Sequence, residues 1–78
     1  MLAFVLIDCM TPADAPVVYA ELLHIPDPHI LEVQPLMGEH DLIVKVEGAT
    51  ELAIGRYVLS VISSLPGVAG TKTLGVVG

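Results

Sequence analysis

The stretch Leu2-Ala3-Phe4-Val5-Leu6-Ile7 is apolar at every position. Six residues is strand length, and a strand with one wet face alternates polar and apolar side chains, so this one calls for cover on both of its faces. A chain of 78 residues has little material for two covering layers. At that size folding removes only about 60% of the unfolded chain's surface from water, and there is room for one domain, residues 1–78. Yet 54% of the residues are hydrophobic and 15% charged, more apolar surface than one small core hides and less charge than an average domain carries. The surplus has to be covered by something outside the core.

The period of the apolar residues divides the chain into six segments. After the strand at Leu2–Ile7, Thr11-Pro12-Ala13-Asp14-Ala15-Pro16 reads as a loop and a helix start, with Thr-x-x-Asp as the capping pattern and Pro16 in the first turn, where no N–H is needed. The helix is expected from about Pro16, with Val18, Leu22 and Ile25 as its apolar stripe, and Pro26 stops it. A second strand, His29–Leu36, puts Leu31 and Val33 on one face and Glu32 and Gln34 on the other. Pro35 removes a ladder donor and marks an edge or a bulge. Gly38 turns the chain into a third strand whose Leu42, Val44 and Val46 alternate with Ile43, Lys45 and Glu47, so strands two and three form a hairpin.

Gly48 ends that strand and Thr50 is the expected N-cap of a helix running to about Ser64. Its apolar stripe is Ile54, Val58, Val61, Ile62 and Leu65, with Glu51, Arg56, Ser60 and Ser63 on the wet side, and Pro66-Gly67 closes it. Val68–Val77 is the last strand, with room for a bend at Gly70 and Gly75. The order β-α-β-β-α-β predicts an α+β fold of the ferredoxin-like kind, an antiparallel four-stranded sheet with two helices on one face, as in dimeric α/β barrels.

Such a sheet leaves its second face without a helix, and here strand one is apolar on that side too. A membrane is a poor cover: charges interrupt every apolar stretch approaching the roughly 20 residues of a spanning helix, and the longest uncharged run, Tyr57–Thr71, holds three serines, Pro66 and two glycines. The start, Met1-Leu2-Ala3-Phe4, has no basic region and meets Asp8 early, unlike a signal peptide. A second copy of the chain is the better cover. If each partner hides about 800 Å² of mostly apolar surface, the gross gain at about 25 cal/mol per Å² is on the order of 20 kcal/mol per pair, beyond the association cost. A homodimer packed sheet to sheet is expected, and higher rings of dimers stay open.

Three basic residues against nine acidic ones, a formal charge of −6, repel a phosphate backbone and argue against direct contact with nucleic acid. One cysteine, Cys9, makes no internal disulfide and, with no export signal, fits a reduced cytoplasmic setting. As a nucleophile it lacks a base and an electropositive neighbour, since Asp8 and Met10 flank it. His24, His29 and His40 with Asp27, Glu39 and Asp41 match no tight metal-ligand spacing, so neither a metal nor a cofactor is expected. Tyr19 and Tyr57 read as packing residues, Met10 and Met37 as gap-fillers.

Three short motifs then fall in order along the chain: Gly38-Glu39-His40-Asp41-Leu42-Ile43-Val44-Lys45-Val46, the helix end Ile62-Ser63-Ser64-Leu65-Pro66-Gly67-Val68, and Thr71-Lys72-Thr73. Together they resemble the effector-binding domain of the Lrp/AsnC transcription regulators, the RAM domain, over the whole chain. Family regulators normally carry an amino-terminal helix-turn-helix and this sequence starts at strand one, so it resembles a stand-alone RAM module. The resemblance implies a non-catalytic module for sensing a small molecule, often an amino acid, at subunit boundaries in a ring-like assembly, with a full-length Lrp/AsnC regulator as a further partner by co-assembly. Carried onto this sequence, Gly38 lets backbone N–H groups approach a carboxylate, Asp41 accepts from an α-ammonium, Thr71 and Thr73 offer hydroxyls, and Glu39 and His40 complete the set. His40 stands where the family often has an aromatic residue such as tyrosine.

Other readings of the same residues stay open. Gly38 and Asp41 also suit a plain hairpin turn, and Thr71 and Thr73 are good strand formers. Dimeric α/β barrels include small monooxygenases and isomerases, for which His40 beside Asp41 would be the general base. That reading requires a deep enclosed pocket between sheet and helices.

Overall fold

A computed structural model describes residues 1–77. Strand β1 (Leu2–Cys9) is followed by helix α1 (Asp14–His24), strands β2 (Ile30–Pro35) and β3 (Leu42–Glu47), helix α2 (Glu51–Tyr57) running on into a π-helical turn (Val58–Ile62), and strand β4 (Val68–Gly75). The four strands form one antiparallel sheet in the order β2-β3-β1-β4. This is the ferredoxin-like α+β arrangement expected from the sequence.

The double-sided character of β1 has a direct structural meaning. The strand is central, paired with β3 on one side and β4 on the other. Ala3, Val5 and Ile7 are wholly buried beneath the helices, while Leu2, Phe4 and Leu6 on the opposite side are only half-buried. Leu42, Val44 and Val46 of β3 alternate into the same core, which Val18 and Leu22 of α1 and Ile54, Val58 and Ile62 of the second helix close. The helix-free face presents Phe4 beside Lys45 and Leu74, and Leu6 beside Ile43 and Lys72. Among the described residues no helix is long and apolar enough to cross a membrane.

Several local expectations change. Helix α1 starts at Asp14 rather than Pro16, because the Asp14 carboxylate accepts from both the N–H (3.0 Å) and the hydroxyl (2.8 Å) of Thr11 and fixes the turn before it. Leu31 does not share a face with Val33. A bulge between Ile30 and Glu32 throws it outward, 48% exposed, while Val33 is buried. Pro35 does lie on an edge strand, where its missing donor costs no ladder bond. Met10 and Met37 fill no gap, since both side chains stand in solvent.

The largest departure is in the second helix. Thr50 caps it as expected, its hydroxyl accepting from Ala53 N–H at 3.1 Å. The α-helix nevertheless stops at Tyr57, and the next turn is π-helical, with Ser63 N–H donating to Val58 C=O at 2.8 Å. Serine hydroxyls supply the reason: Ser60 donates to Arg56 C=O (2.8 Å) and Ser64 to Ser60 C=O (2.9 Å), competing with the backbone for the same acceptors. Ser63, expected on the wet side, is instead half-buried and meets Thr71, hydroxyl to hydroxyl, at 3.2 Å. Gly67 then reverses the chain with φ +91°, a conformation that favours glycine, and its C=O accepts from Met10 N–H at 2.8 Å.

Candidate functional site

The turn between β2 and β3 is held by its last residue. Gly38 takes φ +120°, which a side chain would strain, and Leu36 N–H donates across the turn to Asp41 C=O at 2.8 Å. Asp41 N–H then donates to Ile7 C=O at 2.9 Å, one step beyond the Ile7–Leu42 pair, and its carboxylate Oδ2 accepts from Cys9 N–H at 2.7 Å. A side-chain oxygen thus extends the β1–β3 ladder where β3 has no residue to supply a carbonyl.

His40 is tied down beside it. Its Nδ1 donates to Asp8 Oδ1 at 2.8 Å, with the imidazole 28% and the carboxylate 46% exposed. An ionised carboxylate only accepts, so Nδ1 carries the proton and Nε2 is left for solvent or a ligand. Gly38 and Glu39 are exposed. Cys9 lies among these acids and is no reactive thiol: burial first, then the charges of Asp41, Asp14 and Asp8, push its pKa above the usual value.

Thr71 and Thr73 occupy the other face. Thr71 pairs with Ile7 and Thr73 with Val5, and cross-strand pairs share a face, so both threonines lie on the helix-covered side. Asp8, which alternates with Ile7, carries the His40 contact on the open side. Within one subunit the structure therefore brings Gly38, Glu39, His40 and Asp41 together in one turn and sets Thr71 and Thr73 apart from it. Thr71 is engaged by Ser63, and Thr73 borders a groove of about 710 Å³ beneath α2 that has neither His40 nor Asp41 in its walls.

Two participants escaped the sequence reading. Asp8 reads in the sequence as the end of an apolar run and a neighbour of Cys9, though a carboxylate closing β1 is the signal for a partner such as His40. The second is a contact set at the start of β2, whose Asp27 and His29 the sequence offered only within a metal set of unsuitable spacing and whose Tyr57 it offered only as a packing residue. Asp27 Oδ1 accepts from both His29 N–H (2.8 Å) and His29 Nδ1 (2.6 Å), and the imidazole stacks on Tyr57 with ring centroids 4.9 Å apart and an interplanar angle of 26°. The backbone N–H of His29 is the main cause that holds the Asp27 carboxyl below its usual pKa. Burial, and secondarily the Asp27 carboxylate, push the Tyr57 phenol the other way. The Tyr57 hydroxyl is buried without hydrogen-bonding geometry to any partner among the described residues. Among the described residues no three His, Cys, Asp or Glu side chains come together as a metal site.

The chain is a ferredoxin-like module with a polar turn at the end of its sheet, and solved structures share that fold. FFRP-DM1 superimposes with a TM-score of 0.84 over 97% of each chain at 29% identity. AsnC of E. coli matches 99% of this chain with a TM-score of 0.88 at 21% identity, this chain spanning 50% of AsnC. The transcriptional regulator NMB0573 of Neisseria meningitidis, solved as an L-Met complex, matches 99% of this chain and 49% of its own length, with a TM-score of 0.83 at 23% identity. No protein-family model matches the sequence, and no curated protein does. The chain has the fold of the Lrp/AsnC effector-binding domain, and the resemblance carried by its motifs extends from end to end.

Proposed function

We propose that this chain is a non-catalytic sensing and oligomerisation module, one ligand-binding domain over residues 1–78, which takes an amino acid or related metabolite at a subunit boundary. One observation carries the reading: Asp41 and His40 are both fixed by hydrogen bonds to β1, yet among the described residues each keeps a polar atom with no protein partner at that end of the sheet. Asp41 Oδ1 is the acceptor for an α-ammonium, and the N–H groups around Gly38 are the donors for a carboxylate. The L-Met complex of NMB0573, a regulator of the same fold, supports the ligand class. Because the turn and the two threonines lie on opposite faces of the sheet, a site that uses both sets draws them from different subunits.

The apolar helix-free face supports a homodimer, and a ring of dimers would create the further boundaries. Control then requires that the ligand bind one assembly state more tightly than another. Co-assembly with a full-length Lrp/AsnC regulator is the route to transcription, and mixed oligomers on co-expression test it. Titration calorimetry with a panel of amino acids tests the site. Heat with at least one, weakened tenfold or more in Asp41→Asn and in His40→Ala, is the expected result, and no heat with any of them contradicts the reading.

A further inference from the structure

The groove beneath α2 is separate from the turn and has its own chemistry. Its floor is the helix-facing side of two strands, with Ala3 of β1 and Thr73 and Gly75 of β4, and its wall is Leu52, Gly55 and Arg56 of α2 with Leu59 of the π-helical turn. A volume of about 710 Å³ lies within the roughly 300–1,000 Å³ of small-molecule sites. Leu52 and Leu59 are 65% and 72% exposed, so nothing among the described residues covers them.

Two features show a groove kept open against helix preference. Gly55 sits inside α2 with no positive φ, and a Cβ there would meet no atom within 4 Å. Neither backbone conformation nor crowding asks for glycine, which is among the poorest helix formers. What the missing side chain provides is space in the groove. One turn on, the helix widens into the π-helical Val58–Ile62, which carries Leu59, and π turns recur at functional sites.

Charge decides the occupant. Arg56 is one of three basic residues in a chain of formal charge −6, and among the described residues it makes no ion pair. By helix geometry it projects about 40° from Leu52, at one edge of the exposed stripe Leu52–Gly55–Leu59, and about 140° from Glu51, which borders the groove at the opposite edge. A guanidinium over an apolar trough suits a planar anion joined to an apolar body.

We propose that this groove is a binding site for a small carboxylic acid with an apolar chain, the carboxylate on Arg56 and the chain between Leu52 and Leu59 in the space left by Gly55. The site is independent of the turn at Gly38–Asp41. Amide NMR of the ¹⁵N-labelled full chain, titrated with octanoate, octanol or acetate, tests it. Octanoate is expected to shift the resonances of Gly55, Thr73 and Gly75 saturably, and octanol and acetate to bind at least tenfold more weakly. Arg56→Gln should weaken octanoate tenfold, and Gly55→Leu should abolish its shifts while the other resonances hold their positions. Asp41→Asn should leave octanoate binding unchanged, which separates this site from the amino-acid site. No shift of groove resonances with octanoate, equal binding of octanol, or octanoate binding that survives Gly55→Leu overturns the proposal. So does a Gly55→Leu chain that loses self-association while the wild type ignores octanoate, because a second copy would then be the occupant.

Discussion

Asp41 has two jobs that a single alanine substitution would confuse. Its Oδ2 satisfies the half-buried Cys9 N–H at 2.7 Å, and leaving such a donor unpaired costs about 1–3 kcal/mol. Asp41→Ala should therefore lower the denaturant midpoint by about that much, whereas Asp41→Asn, which keeps an acceptor oxygen, should lose much less. If both variants lose amino-acid binding and only Ala loses stability, the charge serves the ligand and the oxygen serves the fold. Asp27 makes a pH-dependent contribution of definite sign. Its carboxyl is held below its usual value of 3.8, chiefly by His29 N–H, so it stabilises the fold above the unfolded pKa and loses that contribution as pH falls through the lower folded value. Thermal melts between pH 5 and pH 2 should show a part of the acid destabilisation missing from Asp27→Asn; identical acid profiles would count against it.

At the scale of elements, the second helix is where sequence and structure part. Its cap was legible because Thr50 is followed by a regular apolar stripe, and Thr50→Ala should cost about 1 kcal/mol of unfolding free energy. The π turn was not legible, because it arises from which carbonyls Ser60 and Ser64 reach, a competition with no signature in apolar period. The succession of strands, the β2–β3 hairpin and the buried faces of β1 and β3 could be read because period two survives wherever one face is buried. Leu31 broke that rule through a bulge, which inserts one residue and resets the alternation. For the candidate site, the turn Gly38–Asp41 was visible as a motif, but its division from Thr71 and Thr73 was not. Which face a threonine takes depends on the register of β4 against β1, and that is set by packing. Gly55 offers a check at this scale: Gly55→Ala should stabilise the fold by about 0.5–1 kcal/mol, read from chemical denaturation. Destabilisation instead would mean that the helix needs the glycine for its own geometry.

The molecule as a whole is a half-covered sheet. One face is closed by two helices over Val5, Ile7, Val44 and Val46, all wholly or almost wholly buried. The other exposes Leu74 and Val76 at 46% and 44% beside the half-buried Leu2, Phe4, Leu6 and Ile43. Contiguous apolar surface of this kind marks an interaction site. Lys45 lies opposite Glu32 and Lys72 opposite Leu6 on that face, so the partner surface has to neutralise or bypass charges as well as cover oil. A two-fold pairing of identical sheets meets this demand when it places Lys72 of one subunit near an acidic residue of the other. Sedimentation equilibrium of the full chain at micromolar concentration, run beside Phe4→Glu, tests this most directly. The wild type should have at least twice the subunit mass, and the variant should move towards a single subunit. A folded wild type sedimenting as one subunit would contradict the paired sheet and, with it, a ligand shared between neighbours.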